Sequence, residues 1–304
     1  MGKLLKLIKG VWDGLPFTPK PKRVVSVIEL SGVIGADSAV GRRSLNRARC
    51  ERAIEAAFKP SGLQAVCVIV NSPGGSPVQS RLILGAIRDA ARKHETPVFT
   101  FIEDVGASGG YILALAGDEI YADESSIVGS IGVISSGFGA HEALAKLGVE
   151  RRVYTAGENK SQLDPFKPED PKDVAKLETT LNALHDQFIA LVKDRRGDKL
   201  ADDPEIFSGA FWPGPKAQEL GLIDGVARFA EFLRDRYGED VIIKKAPLDR
   251  PGPLGRILAS SLVALASSEP SSPHAVNGAE GALLDPAALL SELEVRALWA
   301  KFGR

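Results

Sequence analysis

Residues 65–103 read AVCVIVNSPGGSPVQSRLILGAIRDAARKHETPVFTFIE. Apolar, β-branched runs at the two ends, Ala65–Asn71 and Val98–Glu103, predict strands, and the pattern of Val78–His94 between them predicts an amphipathic helix. The turn SPGGSP joins the first strand to the helix. A strand, a helix and a second strand in this order are typical of an α/β layered core.

The same alternation continues on both sides of this stretch. A mostly β-branched strand and a helix precede it, and further helices and strands follow it: Val24–Leu30, Ser44–Lys59, Glu142–Leu147, Glu150–Thr155, Lys172–Arg196, Ala217–Asp224, Ala227–Tyr237 and Val241–Lys244. Strands and helices that alternate in this way favour one α/β core over two separate domains.

Composition and charge exclude some classes of partner. The 304 residues carry a net charge of -1, which gives no global attraction to nucleic acid. The two cysteines, Cys50 and Cys67, lack the spacing of a zinc site. Because Cys67 lies in an apolar strand, we expect a buried free thiol, which fits a reducing compartment.

Both ends differ in character from the core. Met1–Trp12, MGKLLKLIKGVW, predicts a short basic amphipathic helix that either contacts a membrane surface or packs on its own domain or a neighbouring subunit. No apolar run reaches the roughly 18 to 20 residues that span a bilayer, and no signal peptide is evident. We therefore expect a cytoplasmic protein, peripheral at the cytoplasmic membrane face if the arm binds lipid.

These patterns predict three regions. Residues 1–22 form the arm and its Pro/Lys-rich linker, residues 23–247 form the folded domain, and residues 248–304 form a tail. Part of the tail, SSEPSSPHAVNGAEG (267–281), has the composition of disordered chain, and a helical pattern over Asp285–Phe302 could cap the domain or a neighbour.

The segment Gly106-Ala107-Ser108-Gly109-Gly110 is a candidate nucleophile turn. It follows a predicted strand and precedes a short apolar helix. Glycine allows a sharp turn there, and the helix N-terminus stabilises negative charge. A glycine-flanked serine is also common in ordinary turns and caps, so the pattern alone leaves both interpretations open.

A serine nucleophile needs a base, and the four histidines offer weak candidates. His94, His185 and His274 have settings typical of surface residues, and His141, near a helix start, keeps a Ser/His/Asp triad open. Lys160 in GENKSQLDPF is our preferred base, because its loop could turn inward against Ser108 and burial lowers the pKa of a lysine. A lysine in a polar loop is otherwise an ordinary solvated residue.

Four segments carry a resemblance to a known family. They are VNSPGGSP (70–77), GASGGYILALAGDEI (106–120), VGSIGVI (128–134) and GENKSQLDPFKPED (157–170). With IELSGVIG (28–35) and FWPGPKAQELGLIDGV (211–226), the chain resembles the signal peptide peptidase A family over Arg23–Lys245.

The resemblance implies an α/β fold of the ClpP/crotonase type, built from repeated β-β-α units. It also implies a Ser/Lys endopeptidase that cleaves signal peptides and other short or unfolded polypeptides, with no metal or nucleotide cofactor. Ser108 matches the nucleophile, Lys160 the general base, and Ser130 a serine that orients the lysine. The backbone amides of Gly75 and Ser108 match the oxyanion hole.

Two features bear on assembly and on alternative functions. This chain has one copy of the serine and lysine motifs, whereas some family members are tandem double-length chains, so we expect a ring-like homo-oligomer.

A crotonase-like acyl-CoA enzyme uses similar glycine-turn oxyanion holes, and a non-catalytic membrane scaffold would use the arm and tail. Both remain alternatives to the peptidase.

Overall fold

The computed structural model describes residues 22–36, 44–249 and 295–302. The elements in chain order are β1 (Val24–Ser31), α1 (Arg47–Ala57), β2 (Leu63–Ser72), α2 (Pro77–His94), β3 (Val98–Ala107), α3 (Gly109–Ala114), β4 (Glu119–Ala122), β5 (Ile127–Gly129), α4 (His141–Lys146), α5 (Pro171–Arg196), β6 (Phe211–Pro213), α6 (Gly214–Glu219), β7 (Gly225–Val226), α7 (Phe229–Tyr237) and β8 (Ile242–Lys245). Residues 295–300 form a final helix. The predicted arm, its linker up to residue 21 and most of the predicted tail lie outside the described residues.

The strands form one eight-stranded sheet in the order β6-β5-β3-β2-β1-β8, and β4 and β7 extend it from β3. Every pairing is parallel except that of β5 with β6, which is antiparallel. The helices that connect successive parallel strands cover the sheet, which confirms the prediction of an α/β layered core.

Alternation along the strands divides the core into two layers. Val66, Val68 and Val70 of β2 belong to the larger cluster, together with buried residues of α1, α2 and α3. Ala65, Cys67 and Ile69 of the same strand face the opposite layer, which α7 covers with aromatic side chains. Because successive side chains of a strand point to opposite faces, one apolar strand supplies both layers.

Cys67 lies on β2, the strand that is covered on both faces. Both cysteines are free and buried, as predicted for Cys67. Loss of solvent around the thiols raises the pKa of Cys50 to about 11 and that of Cys67 to about 12. Neither thiol is therefore a reactive nucleophile at neutral pH.

Helix α2 has a well-defined start beside the glycine turn. Ser76 caps it by accepting a hydrogen bond from the Gln79 amide, and Pro77 occupies the first helical position. At the other end three basic residues, Arg92–His94, complement the negative end of the helix dipole. These end signals hold the preceding turn at a fixed place over the carboxyl end of β2.

The carboxyl ends of three neighbouring strands meet at one edge of the sheet. β2 leads into the Pro-Gly-Gly turn, β3 ends immediately before Ser108, and β5 ends immediately before Ser130. Because β2, β3 and β5 are parallel, these three ends lie side by side. Ligand sites of open α/β sheets form at such strand ends.

Helix α3 is fixed by a buried polar contact. The Tyr111 hydroxyl donates a hydrogen bond to the carbonyl of Leu222 at 2.7 Å. Next to it, Arg196 donates to the Gly221 carbonyl and to the Asp224 carboxylate, at 2.7 Å in each case. These contacts connect α3 to the end of α5 and to the segment before β7.

The predicted strand Glu150–Thr155 is not formed. Its residues are exposed and take part in no ladder of the described sheet. An isolated strand has nothing to satisfy its backbone groups, so the local β pattern cannot by itself produce a strand. We refer to residues 133–170, which surround it, as the exposed stretch.

The exposed stretch displays large apolar side chains. Ile134, Phe138, Leu147 and Tyr154 are between 74% and 91% exposed. An apolar surface of this kind marks a binding surface more often than an ordinary loop. Among the described residues, no helix combines the length and the apolar composition needed to cross a membrane.

Candidate active site

Ser108 occupies a strained turn between β3 and α3. Its backbone lies at φ 53° and ψ -122°, a region that residues with a side chain rarely adopt. The turn is held because its amide donates to Gly129 O at 2.8 Å, while its carbonyl accepts from the amides of Tyr111 and Ile112. A strained strand-to-helix turn of this kind presents a nucleophile at the top of a sheet.

The side chain of Ser108 lines a cleft of about 520 Å³. Gly75 and Ser130 line the same cleft, so the structure brings together three of the four predicted site residues. The apolar part of the lining includes Pro73, Pro77, Ile112, Val133, Leu184 and Phe188. The cleft thus combines polar groups around one serine with an apolar wall that suits hydrophobic side chains.

The Pro-Gly-Gly turn lies directly against the nucleophile. Gly74 and Gly75 have φ values of 106° and 136°, and a Cβ on Gly75 would lie 2.0 Å from Ile34 O. A Cβ on Gly74 would lie 2.9 Å from the Ser108 Cβ. Only glycine fits both places, which explains the glycine pair in the sequence.

Two backbone amides at this contact are available for an oxyanion. Within the described residues, the N–H groups of Gly75 and Gly109 make no hydrogen bond. They are close together, because a Cβ on Gly109 would lie 3.3 Å from the Gly75 nitrogen. Gly109 is the first residue of α3, so its N–H points out of the helix start, where negative charge is stabilised.

The Ser108 amide, which we predicted as an oxyanion donor, is not available in this structure. That N–H is already bonded to Gly129 O, where it continues the ladder between β3 and β5. The residue after the nucleophile, Gly109, supplies the available donor instead, as in other nucleophile turns. The sequence does not distinguish the two, because the difference arises from a strand paired with β3.

Ser130 lies just beyond the end of β5 in a second strained turn. It is 5% exposed and has a φ of 53°, and its amide donates to Ala210 O at 2.6 Å. The next residue, Ile131, accepts a hydrogen bond from His185 Nε2 through its carbonyl at 3.1 Å. Because a carbonyl only accepts, Nε2 carries the proton.

His185 is therefore a site-supporting residue that the sequence analysis missed. It was expected to be a surface residue of a long helix, but the structure places it half-buried on α5 beside the Ser130 turn. Its position in an amphipathic helix gives no sign of a partner 54 residues away. His141 begins α4 and is not part of the cleft lining.

Lys160 is not brought to Ser108 in the single chain. It lies in an exposed turn, where its amide donates to Gly157 O at 3.2 Å, and it does not line the cleft. Among the described residues that line the cleft, the charged ones are Arg81 and Lys301. An arginine is not a base in proteins, and Lys301 directly follows the final helix. The inward turn of the Lys160 loop is not observed, and its role as base stays a prediction.

A comparison with protein-family models identifies the chain's relatives. The model of peptidase family S49 matches residues 90–236. The matched segment contains Ser108, Ser130 and Lys160, whereas Gly75 precedes it. Over this segment the chain is similar to S49 peptidases, which confirms the predicted resemblance to the signal peptide peptidase A family.

Two curated relatives show how this chain relates to longer proteins. It is 48% identical over 279 residues to a protein of Brucella melitensis named Na(+)/H(+) antiporter NhaA, and the match covers 92% of this chain and 37% of that one. It is 30% identical over 225 residues to a putative signal peptide peptidase SppA of Enterococcus faecium, with 73% and 62% covered. The chain thus spans less than two thirds of either relative. The Brucella match overlaps the segment that the S49 model matches, since it covers nearly the whole chain.

A solved structure is also similar to this chain. It is the 1510-N membrane-bound stomatin-specific protease, at 17% identity and a TM-score of 0.48. The alignment covers 74% of this chain and 98% of that one.

Proposed function

We propose that this chain is a serine endopeptidase that cleaves signal peptides or other short or unfolded polypeptides through a Ser108–Lys160 dyad. The observation that carries the proposal is the strained Ser108 turn, with two unbonded amides beside it, in an apolar cleft. The match of residues 90–236 to the model of peptidase family S49 supports the same reaction.

In the proposed reaction, the neutral amine of Lys160 takes the proton of Ser108 while Oγ attacks the substrate carbonyl carbon. The carbonyl oxygen becomes an oxyanion, to which the amides of Gly75 and Gly109 donate. When the tetrahedral intermediate collapses, the peptide C–N bond breaks and the lysine gives its proton to the leaving amine. Water, deprotonated by the same lysine, then hydrolyses the acyl-enzyme. The Ser130 hydroxyl orients the lysine amine in this scheme.

We further propose that Lys160 reaches the Ser108 of a neighbouring copy in a ring-like homo-oligomer. A lysine acts as a base only when burial lowers its pKa. Lys160 is exposed in the single chain, on a stretch whose apolar side chains a second copy would cover. Burial of that stretch at an interface would desolvate the amine and bring it to the incomplete site.

Hydrolysis of casein and of an apolar fluorogenic peptide tests the dyad. We expect Ser108→Ala and Lys160→Ala to abolish turnover, and Lys167→Ala, a lysine of the same exposed stretch, to retain it. A fluorophosphonate should label Ser108 by mass spectrometry. Wild-type turnover in the Ser108→Ala or Lys160→Ala variant would contradict the dyad, and acyl-CoA binding without proteolysis would favour a crotonase-like enzyme.

Mixing the two inactive variants tests whether the lysine comes from a neighbour. If each site takes its serine and its lysine from adjacent copies, a random equal mixture of Ser108→Ala and Lys160→Ala regains about one quarter of wild-type activity. If both residues act within one chain, the mixture stays inactive. Light scattering of the same samples reports the subunit number.

We also propose that the basic arm, residues 1–12, brings the protein to the cytoplasmic face of a membrane. Three lysines alternate with apolar residues there, which suits an anionic lipid surface. Co-sedimentation with vesicles containing anionic lipid should fall when Lys3, Lys6 and Lys9 are changed to Glu. Equal sedimentation of both proteins would exclude this contact, and lipid binding without any proteolysis would favour a scaffold.

A further inference from the structure

The final helix lies over the cleft that contains Ser108. Leu298, Lys301 and Phe302 line that cleft together with the nucleophile. The contact joins the last described segment of the chain to a site formed by residues near its middle. The last described segment of the chain therefore forms part of the wall of the cleft.

The contact has the pattern of a docked amphipathic helix. Val295, Leu298, Trp299 and Phe302 are half-buried, whereas the residues between them, Arg296, Ala297, Ala300 and Lys301, are exposed. Half-buried positions at i, i+3, i+4 and i+7 form one face of a helix, and all four carry apolar side chains. This face therefore packs on the protein, and the opposite face points to solvent.

An aromatic pair fixes the end of this helix beside the site. The ring of Phe302 meets that of Phe211 edge to face, with 5.2 Å between centroids. Phe211 belongs to β6 and pairs with Gly129 of β5, the residue before Ser130. Phe302 thus lies near the strand end that precedes Ser130, the serine proposed to orient the lysine, where a substrate side chain would otherwise approach.

We infer that residues 295–302 act as an intramolecular competitor of the substrate, occupying part of the apolar cleft until a polypeptide displaces them. This inference rests on the proposed function. It also indicates what the cleft accepts, since a leucine and a phenylalanine one turn apart pack at its wall. Substrates with large apolar side chains should compete best.

Competition within one chain has a specific kinetic result. If the helix closes the cleft in some of the molecules, the apparent KM equals the intrinsic KM divided by the fraction of molecules with an open cleft. Saturating substrate displaces the helix, so kcat does not change. A single aromatic contact of this geometry changes an equilibrium by about two- to tenfold. Loss of two anchors should therefore lower KM by about tenfold or more and leave kcat unchanged.

Full-length variants test this inference against a matched control. Leu298→Glu with Phe302→Glu places charge on the docked face, whereas Ala297→Glu with Ala300→Glu places the same charge on the exposed face. We expect the first pair to lower KM for an apolar fluorogenic peptide and the second pair to leave it unchanged. Equal KM in all three proteins, or a loss of kcat in the first pair, would overturn the inference.

Hydrogen exchange gives a readout that does not need activity. In a Ser108→Ala background, amides of residues 295–302 and of the cleft segment 130–134 should exchange slowly and become faster only with the docked-face changes. If that pattern appears and the wild type cleaves nothing, docking holds and the proposed function fails. If the wild type cleaves and the exchange pattern is absent, the docked helix is wrong and the peptidase stands.

Discussion

Gly109→Ala tests the revised oxyanion hole. The backbone of Gly109 is outside the left-handed region, so an alanine acts there through space alone. Its Cβ would lie 2.6 Å from Ser80 Oγ and 3.3 Å from the Gly75 nitrogen. The added methyl group therefore crowds both amides that are assigned to the oxyanion.

The expected loss is large in kcat and small in stability. Loss of one oxyanion donor costs about 3 to 4 kcal/mol of transition-state stabilisation, or roughly 100- to 1000-fold in kcat. Crowding in a packed region costs about 1 to 3 kcal/mol of folding free energy. We expect KM to change little, because the oxyanion exists only beyond the ground state.

A second variant separates these two effects. Ser80→Ala removes the hydroxyl that makes the shortest contact with the new methyl group. Ser80→Ala with Gly109→Ala should therefore recover stability in urea denaturation, while kcat on the fluorogenic peptide stays low. Ser80→Ala alone provides the reference, because it loses the 2.9 Å hydrogen bond from Ser80 Oγ to Ser76 O.

Two results would refute this reasoning. A folded Gly109→Ala protein with kcat within about threefold of wild type would show that Gly109 is not an oxyanion donor. Recovery of kcat in the double variant would show that the loss came from strain around Ser80. Either result would return attention to other donors at the cleft.

Three further predictions concern residues around the site and the core. His185→Leu should lower kcat by about tenfold and leave KM unchanged in steady-state assays, because it leaves a carbonyl beside Ser130 unpaired, whereas His185→Gln should retain most activity. Asp224→Asn should cost about 3 to 5 kcal/mol in urea denaturation, because it leaves the buried Arg196 without its counter-ion. Burial alone would raise the pKa of Asp224, but hydrogen bonds from Arg196 and a neighbouring lysine outweigh burial and lower this pKa. The contribution of Asp224 to folding stability is therefore complete above the pKa of the unfolded state, and it is lost as the pH falls through the pKa of the folded state. The wild type should therefore lose more stability than Asp224→Asn on acidification, and an equal loss would contradict this. Ellman's reagent should label neither Cys50 nor Cys67 in the native protein and both after denaturation, and fast native labelling would contradict their burial.

Features that depend on neighbouring residues in the sequence were predicted correctly. The β-branched runs gave β2 and β3, the spacing of apolar residues gave α2, and the glycine pair gave a turn beside the nucleophile. Each of these depends on side-chain periodicity or on backbone conformation, which a short stretch of sequence determines.

Features that depend on distant partners could not be predicted in this way. The available amide is that of Gly109 rather than that of Ser108, because a strand about 20 residues later binds the Ser108 amide. Residues 150–155 have the sequence pattern of a strand, but they pair with no strand that the structure describes. His185 supports the Ser130 turn through a contact that no local pattern reveals.

The hydrogen bond between the Ser108 amide and Gly129 O has a consequence for control of the proposed peptidase. Gly129 precedes Ser130, so the nucleophile and the serine that would orient the base share one rigid backbone connection. Their spacing is set before any substrate or partner arrives. Under the proposed mechanism, the step that can vary is the arrival of the Lys160 amine from a neighbouring copy. A dilute protein would then contain a correctly positioned Ser108 and still be inactive. Its specific activity would rise with protein concentration.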